Sequence, residues 1–254
     1  MTKYKKNFVL KGNIHINDMY SLLKLSPVDG CMPEILPGQF VQVEVANSKT
    51  TFLRRPISVN FVDEKSGLLW LLVRNAGAGT NSLISQNNGD VISVILPLGK
   101  GFSVDANAPL LIGGGVGVAP LLYLGKMLQE KGADVSFLLG ARSEKGLLEL
   151  DEFVKYGKVY LSTEDGSAGE KGFVTMHSIL NEDKFDLIQC CGPQPMMKAV
   201  ANFAKSKKLA CEVSLENTMA CGVGACLCCV EDTKDGNVCV CKEGPVFNIE
   251  RLKW

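Results

Sequence analysis

Apolar residues recur with a short period through the N-terminal part of the chain. Between residues 8 and 102 they often alternate with polar residues, as at Val41 and Val43, and turn signals such as Pro37-Gly38 and Asn88-Gly89 separate the runs. Alternate residues of a strand point to opposite faces of a sheet, so this pattern predicts short antiparallel strands. A small closed β-barrel is expected, because closure removes exposed strand edges.

A different rhythm begins near Pro109. An apolar run enters a glycine-rich turn, a helical pattern follows from Ala119 to Lys131, and a second apolar run spans Val135 to Leu139. Later apolar runs and a helical segment from Pro193 to Ser206 continue the alternation. Strand, helix and strand in that order predict right-handed parallel units.

The C-terminal part, from about Ala210, is rich in cysteine and has little apolar periodicity. A bound metal rather than a large core is expected to organise it. The 254 residues suffice for two domains of ordinary size and a short appendage. We therefore predict an α+β multidomain protein with an antiparallel β-barrel at residues 1–104, an α/β parallel-sheet domain at residues 105–209 and a small domain at residues 210–254.

The charge balance narrows the classes of partner. Lys plus Arg and Asp plus Glu both total 27, so no overall attraction to nucleic acid or anionic lipid is expected. The basic N-terminus lacks a signal-peptide pattern, which predicts a cytoplasmic protein. The most apolar run, Ala108 to Leu124, contains glycines and also Pro120, which suit a tight turn, so no membrane span is expected.

Cysteine placement is the strongest chemical signal in the chain. Ten cysteines without an export signal do not indicate a disulfide framework, because cytosolic thiols stay reduced. Cys221, Cys226 and Cys229 have the C-x4-C-x2-C spacing typical of plant-type [2Fe-2S] loops. The fourth ligand is Cys239 or Cys241. Reduced packing cysteines and a tetrahedral zinc site are the alternatives, although structural zinc usually takes two separated C-x2-C pairs.

Two segments of the first domain carry signals for a phosphate-bearing cofactor. Arg55 is followed at Ser58 by a hydroxyl, and together they can clamp a phosphate through charged and neutral hydrogen bonds. Gly79-Thr80, at a helix start, can present backbone N–H groups to a second phosphate. Alone, each also fits an edge-strand arginine or an ordinary turn.

A glycine-rich turn of the second domain follows a strand and opens a helix, which is the context of a dinucleotide-binding loop. It departs from the usual fingerprint, because Val118 stands at the third glycine position. A tight packing turn is the alternative. A second turn after a later strand can bring a backbone loop and a thiol beside a nicotinamide. The residues concerned are Gly113, Gly114, Gly115, Gly117 and Pro120 in the first turn, and Cys191, Gly192 and Pro193 in the second.

The order of these motifs resembles the ferredoxin-NADP+ reductase superfamily, in which a flavin barrel precedes a nicotinamide domain. The segments Met219 to Cys226 and Cys241 to Phe247 further resemble the electron-transfer subunits of class B dihydroorotate dehydrogenases. The resemblance covers nearly the whole chain. It implies FAD, a [2Fe-2S] cluster and NAD as cofactors, with Cys241 as the fourth cluster ligand. It also implies FAD contacts at Arg55, Pro56, Ile57, Ser58, Leu72, Val73, Arg74, Gly79 and Thr80.

Cofactor chemistry suggests the role of the chain. NAD+ accepts two electrons as a hydride whereas a cluster exchanges one at a time, and FAD can convert between the two. We expect electrons to pass from a partner's FMN through the cluster and FAD to NAD+, with no general acid or base required. Cys191 and Glu216 are candidates for the contact between flavin and nicotinamide. Arg142 and Ser143 would also suit a 2′-phosphate, so NAD+ over NADP+ is implied by the resemblance alone.

The partner implied by the resemblance is the FMN-containing catalytic subunit of dihydroorotate dehydrogenase, in a heterotetramer of two plus two, serving pyrimidine biosynthesis. Two other functions stay open. One is the flavin and iron-sulfur subunit of an NAD(P)H:ferredoxin transhydrogenase or sulfhydrogenase. The other is a non-enzymatic zinc- or cluster-binding interaction protein.

Overall fold

The computed structural model describes residues 2–46, 48, 50–182 and 184–254. Its architecture is two seven-stranded sheets and a two-stranded hairpin. None of the described helices is both long enough and apolar enough to cross a lipid bilayer.

The first sheet is antiparallel, in the order β4-β3-β7-β1-β2-β6-β5. Short helix α1 (Ala78–Ile84) connects its last two strands along the chain. Alternate positions fill the core, where Val41 and Val43 are buried as the sequence pattern predicts. The strands are β1 (Tyr4–Asn17), β2 (Tyr20–Pro27), β3 (Phe40–Val43), β4 (Arg55–Ser58), β5 (Phe61–Asp63), β6 (Leu68–Arg74) and β7 (Val91–Leu98).

The expected closure of this barrel is wrong. Within the described residues no ladder joins β4 to β5, which form the two ends of the sheet, so the structure is a half-barrel. The β5 end is covered by a helix of the second sheet, because the ring of Phe61 packs 5.9 Å from that of Tyr123. A packed helix protects a strand edge as closure would.

The second sheet has the order β11-β10-β9-β8-β12-β13-β16, and all its neighbours are parallel except β13 and β16. Its helices are α2 (Ala119–Glu130), α3 (Leu150–Phe153) and α4 (Gln194–Lys207), so both helices predicted from the sequence are confirmed within two residues. The strands are β8 (Pro109–Gly114), β9 (Ser136–Ala141), β10 (Lys158–Thr163), β11 (Glu170–Lys171), β12 (Leu187–Cys191), β13 (Ala210–Ser214) and β16 (Val246–Asn248).

The C-terminal part forms a hairpin of β14 (Val230–Thr233) and β15 (Gly236–Cys239), then α5 (Val240–Glu243) and strand β16. The expectation that metal rather than a core organises this part needs correction. Val240, Phe247 and Leu252 are buried in the same apolar cluster as the second sheet. Apolar packing and the β13–β16 ladder therefore anchor the segment, although its irregular apolar spacing gave no such signal.

Candidate functional site

A cavity of about 260 Å³ lies where the half-barrel, the glycine-rich turn and the C-terminal part meet. Its walls combine apolar side chains with a few polar groups, as is usual for cofactor pockets. The half-barrel contributes Phe40, Pro56, Ile57, Ser58, Leu72 and Arg74, the second sheet and its glycine-rich turn Val116, Ala119 and Ser214, and the C-terminal part Leu215, Glu216, Asn217, Met219 and Pro245. Five residues that the sequence assigns to FAD are therefore together in one cavity.

Arg55 and Gly79, both assigned to FAD from the sequence, lie in contact. A Cβ atom placed on Gly79 would stand 2.2 Å from Nε of Arg55 and 2.9 Å from its Cζ. The neighbouring Arg54 is engaged elsewhere, since it donates to the Ser93 carbonyl at 2.8 Å and pairs with Glu44 at 3.2 Å. Among the described residues, Arg55 has no carboxylate partner within ion-pair distance, so its charge is free to meet a phosphate.

Local hydrogen bonds order the turn beside Arg55. Oγ1 of Thr80 accepts from the N–H groups of Ala76 at 2.9 Å and Gly77 at 3.2 Å. On β6, Leu72 and Arg74 line the cavity, whereas the side chain of Val73 is buried in the half-barrel core. A contact between Val73 and a cofactor would therefore use its main chain.

Four glycines lie at the end of β8 and in the turn that follows it, and they divide into two kinds. A Cβ atom on Gly113 would stand 2.9 Å from Val118, on Gly114 2.6 Å from Met196, and on Gly117 2.5 Å from the carbonyl oxygen of Cys191. Protein atoms pack against all three positions, and at Gly117 they are backbone atoms that leave no room for a side chain. Gly115 has only the Tyr20 hydroxyl within 4 Å of such an atom, at 3.8 Å, and therefore borders open space. Pro120 is buried in the first turn of α2.

The turn after β12 packs on this glycine turn. A Cβ atom on Gly117 would stand 2.6 Å from Cα of Gly192, and Pro193 caps the N-terminus of α4. The two segments that the sequence assigns to nicotinamide binding therefore meet at the ends of neighbouring strands β8 and β12, where ligands bind in open α/β sheets.

Cys191 is buried, whereas the exposed residue Glu216 lines the cavity. Burial raises the pKa of the Cys191 thiol, and the negative charge of Glu216 raises it further. Partial desolvation by the cavity walls also raises the pKa of Glu216, against an opposing effect from the Arg74 guanidinium. Cys191 is therefore a neutral thiol, and Glu216 is held with a reduced tendency to ionise.

The cysteine loop surrounds its sulfur atoms with backbone N–H groups. Sγ of Cys221 accepts from the amides of Val223 at 3.4 Å, Ala225 at 3.3 Å and Cys226 at 3.4 Å. Partial burial opposes ionisation, but these amides outweigh it and lower the pKa of Cys221 to about 6. A thiolate that backbone amides stabilise is the form that binds metal.

The β14–β15 hairpin returns the chain to this loop and brings both candidates for a fourth ligand near it. Cys241 is buried, and its N–H donates to Sγ of Cys229 at 3.4 Å. Cys239 is half-buried at the end of β15. Cys228 is exposed and its thiol faces the Thr218 carbonyl oxygen at 3.7 Å, on the outside of the loop.

The donor set fits a binuclear cluster. A [2Fe-2S] cluster takes four cysteine thiolates, and N–H donors to the sulfurs adjust its potential. The loop offers both the cysteines and the N–H groups.

Two family models match the chain, at residues 216–253 with the iron-sulfur cluster binding domain of dihydroorotate dehydrogenase B and at residues 111–202 with the oxidoreductase NAD-binding domain. The dihydroorotate dehydrogenase B (NAD+) electron transfer subunit of Listeria monocytogenes is 42% identical over 231 residues, which are 88% of this chain and 89% of that protein. Its namesake from Fusobacterium nucleatum is 40% identical over 83% of this chain and 84% of that protein. This chain belongs to the family of dihydroorotate dehydrogenase B electron transfer subunits.

Solved structures show that this dihydroorotate dehydrogenase B family member shares its fold with other oxidoreductases. A structure of NADH-dependent reduced ferredoxin-NADP oxidoreductase, described in relation to flavin-based electron bifurcation, is 29% identical with a TM-score of 0.87 over 97% of this chain and 90% of that chain. The flavohem-like FAD/NAD binding domain of nitric oxide dioxygenase from Vibrio cholerae shares the fold, with a TM-score of 0.71 and 19% identity over 82% of this chain and 98% of that chain. The predicted family and fold class are confirmed.

Two buried polar residues escaped the sequence analysis of this dihydroorotate dehydrogenase B family member. Gln42 and Asn60 are both fully buried, and each lies within two residues of the cavity-lining residues Phe40 and Ser58. In sequence, Gln42 is the polar position of an alternating strand and Asn60 belongs to a turn. Their burial comes from segments far along the chain, so no local signal could reveal it.

Proposed function

We propose that this chain is the electron-transfer subunit of an NAD+-linked dihydroorotate dehydrogenase that serves pyrimidine biosynthesis. It carries FAD and a [2Fe-2S] cluster and passes electrons from the FMN of a catalytic subunit to NAD+. The observation that carries the proposal is one cavity walled by the predicted flavin strand, the glycine-rich turn and the residues leading into the cysteine loop. Such an arrangement holds three redox groups in series.

FAD fits the half-barrel side of the cavity. Arg55, with its unpaired guanidinium against Gly79, would bind the pyrophosphate, and Thr80 keeps the adjoining turn ordered. Pro56, Ile57, Ser58, Leu72 and Arg74 would line the flavin, with Val73 contributing main chain. Bound FAD supplies the conversion between single electrons and a hydride. Ile57 gives an apolar wall to the ring where many members of the wider superfamily have an aromatic residue.

Cys221, Cys226, Cys229 and Cys241 are the proposed cluster ligands. The N–H groups that converge on Cys221, and the burial of Cys241 against Cys229, support this choice over Cys239. The protein's own contribution is to surround Sγ of Cys221 with backbone N–H donors and to bury Cys229 and Cys241 on one side of the loop. Cys226 lies exposed on the other side, which would bring the cluster close to a partner surface.

NAD+ would bind at the C-terminal ends of β8 and β12. Gly115 leaves space there, and the turn of Cys191, Gly192 and Pro193 closes the floor. The turn would keep its shape through four packed residues on the side away from NAD+, which are Gly113, Gly114, Gly117 and Pro120. Cys191, as a neutral thiol, and Glu216 would orient the nicotinamide against the flavin, which suits hydride transfer because no proton has to be moved.

We assign one cofactor to each of the three predicted domains. Residues 1–104 would bind FAD, residues 105–209 NAD, and residues 210–254 the cluster, with each of the two sheets lying mainly within one of the first two segments. A heterotetramer with two FMN-containing catalytic subunits, in the cytoplasm, is the proposed assembly. Dihydroorotate oxidation would belong to that partner.

Co-expression with an FMN-containing dihydroorotate dehydrogenase catalytic subunit tests the function. We expect the two chains to purify together, with FMN, FAD and iron, and the complex to reduce NAD+ when dihydroorotate is added. A stable complex loaded with all three cofactors that oxidises dihydroorotate without reducing NAD+ would reject the proposal.

The transhydrogenase function is the second candidate, because the NADH-dependent reduced ferredoxin-NADP oxidoreductase structure superposes over nearly the full chain. The two functions differ in the electron source. Reduction of NAD+ by reduced ferredoxin, combined with no coupling to dihydroorotate, would favour this candidate.

A further inference from the structure

Gln42 lies in the middle of β3, on the face opposite the half-barrel core. Its neighbours Val41 and Val43 point into that core, whereas Phe40, on the same face as Gln42, belongs to the apolar cluster that includes Cys229 and Cys241. The C-terminal part covers this face, and Gln42 is 0% exposed. Glutamine side chains are seldom fully buried in proteins, yet Gln42 is enclosed between the half-barrel and the cysteine loop.

The residues opposite Gln42 on the two neighbouring strands offer no hydrogen-bond partner to its side-chain amide. It stands opposite Pro56 of β4 and Ile95 of β7, and neither of these side chains can form a hydrogen bond. Among the described residues, neither Nε2 nor Oε1 of Gln42 has a partner. Buried polar groups are nearly always bonded, and an unbonded one is costly, so a partner is expected from the remaining side.

That side is the cysteine loop. A Cβ atom on Gly222 would stand 2.3 Å from Nε2 of Gln42 and 2.8 Å from its Cδ, so the carboxamide packs directly against the residue that follows Cys221. Gly222 has a φ of 67°, in the region that glycine adopts freely. The backbone of the loop therefore passes beside the Gln42 amide at the residue next to its first cysteine.

We propose that the side-chain amide of Gln42 donates a hydrogen bond to the iron-sulfur cluster and raises the cluster's reduction potential. The inference rests on the proposed function, since it requires the cluster to be held by Cys221 and its partners. Reduction adds one negative charge to the cluster. An N–H donor stabilises that charge more than it stabilises the oxidised form, and so favours reduction.

The location gives this donor a particular role. Backbone amides of Val223, Ala225 and Cys226 already approach Cys221 from within the loop. Gln42 approaches from the half-barrel, on the strand next to Pro56 in the proposed flavin wall. It is therefore a positioning and tuning residue between the two redox groups, and its effect should appear in the cluster potential before it appears in NAD+ binding.

The test is a Gln42→Met variant of the full chain, purified with its cofactors under anaerobic conditions. Methionine keeps the length of the side chain and removes the donor. The cluster potential is measured by electron paramagnetic resonance during a redox titration. We expect an equilibrium constant for one-electron reduction that is roughly tenfold lower than in the wild type, which is about 59 mV. We also expect shifted g values.

Gln189→Met is the matched control. Gln189 is also fully buried, but its Nε2 donates at 2.8 Å to both the Ser103 carbonyl and Glu212 in the second sheet. We expect this variant to lower the folding stability while leaving the cluster potential unchanged. A Gln42→Met protein that keeps its iron and its g values, with an equilibrium constant for one-electron reduction within twofold of that of the wild type, would overturn the proposal.

A measurement on the wild type covers the case in which Gln42→Met does not hold a cluster. Protein labelled with ¹⁵N at the glutamine side chains should show hyperfine coupling between the reduced cluster and a side-chain nitrogen, and absence of that coupling overturns the inference. A wild-type protein without iron and without a cluster signal would instead reject the proposed function. The two failures are therefore distinct.

Discussion

The side-chain amide of Asn60 donates a 2.9 Å hydrogen bond to Oε2 of Glu149 and so joins the half-barrel to the second sheet. The same side-chain nitrogen donates to the Ala119 carbonyl at 3.2 Å. The main-chain carbonyl of Asn60 accepts a hydrogen bond from the main-chain N–H of Tyr123, also at 3.2 Å. Asn60 is fully buried two residues after Ser58, and Ala119 lines the cavity. One residue therefore holds the start of α2 against the proposed flavin strand.

Replacing Asn60 by alanine should lower the free energy of unfolding by about 2–3 kcal/mol, because Glu149 and the Ala119 carbonyl lose their buried donor. Urea unfolding measures the loss. Asn13→Ala is the control, since Asn13 also donates two bonds, to Ile84 and Gln86, but within the half-barrel region. We expect both variants to be destabilised and only Asn60→Ala to bind NAD+ more weakly. Equal NAD+ affinity in the two variants would contradict the role given to Asn60.

Glu149 should make stability depend on pH near neutrality. Burial raises its pKa from 4.5 to about 7, with a further increase from Glu152 and opposing effects from Asn60 and Lys24. The folded protein therefore keeps this proton to a higher pH than the unfolded chain does. The stabilisation is complete below about pH 4.5 and is lost as pH rises through about 7.

The measurement compares the wild type with Glu149→Gln, which cannot titrate. Between about pH 5 and about pH 8, the unfolding free energy of the wild type should fall relative to that of the variant, on the order of 2–3 kcal/mol. Parallel stability curves for the two proteins would show that Glu149 does not titrate in this window.

Gly79→Ala should weaken FAD binding, because the added methyl would displace the guanidinium of Arg55. Loss of a charged hydrogen bond costs about 1.5–3 kcal/mol, so FAD affinity should fall by about tenfold to a hundredfold. The ratio of FAD to iron in the purified protein reports the change. Gly12→Ala is the control, since its added methyl would meet only Lys24 at an ordinary 3.7 Å. An unchanged FAD content in Gly79→Ala would contradict the proposed pyrophosphate site.

Single serine variants distinguish the candidates for the fourth cluster ligand. Cys241→Ser should lose the cluster and retain FAD, whereas Cys239→Ser should retain both. The reason is that Cys241 is buried and its main-chain N–H donates a hydrogen bond to Sγ of Cys229. Iron analysis and visible spectra measure the outcome. Cys228→Ser should resemble the wild type, since the Cys228 thiol faces outward to Thr218. The reverse pattern for Cys239 and Cys241 would move the fourth ligand to β15.

Sequence reasoning succeeded where a signal was local. The C-x4-C-x2-C spacing lies within one loop, and the helix after the glycine-rich turn begins at Ala119 as predicted. It failed where distant segments decide the environment. The half-barrel stays open because α2 covers β5, and Phe247 joins a core shared with the second sheet. Gln42 and Asn60 are polar positions whose burial depends on contacts with residues far along the chain.

The central claim is that this chain alone connects a nicotinamide, a flavin and an iron-sulfur cluster. The most direct measurement is electron paramagnetic resonance of the anaerobic protein after reduction by NADH. We expect bleaching of the flavin together with the signal of one reduced [2Fe-2S] cluster per chain. Flavin bleaching without a cluster signal, in protein that shows the signal after dithionite reduction, would contradict the claim.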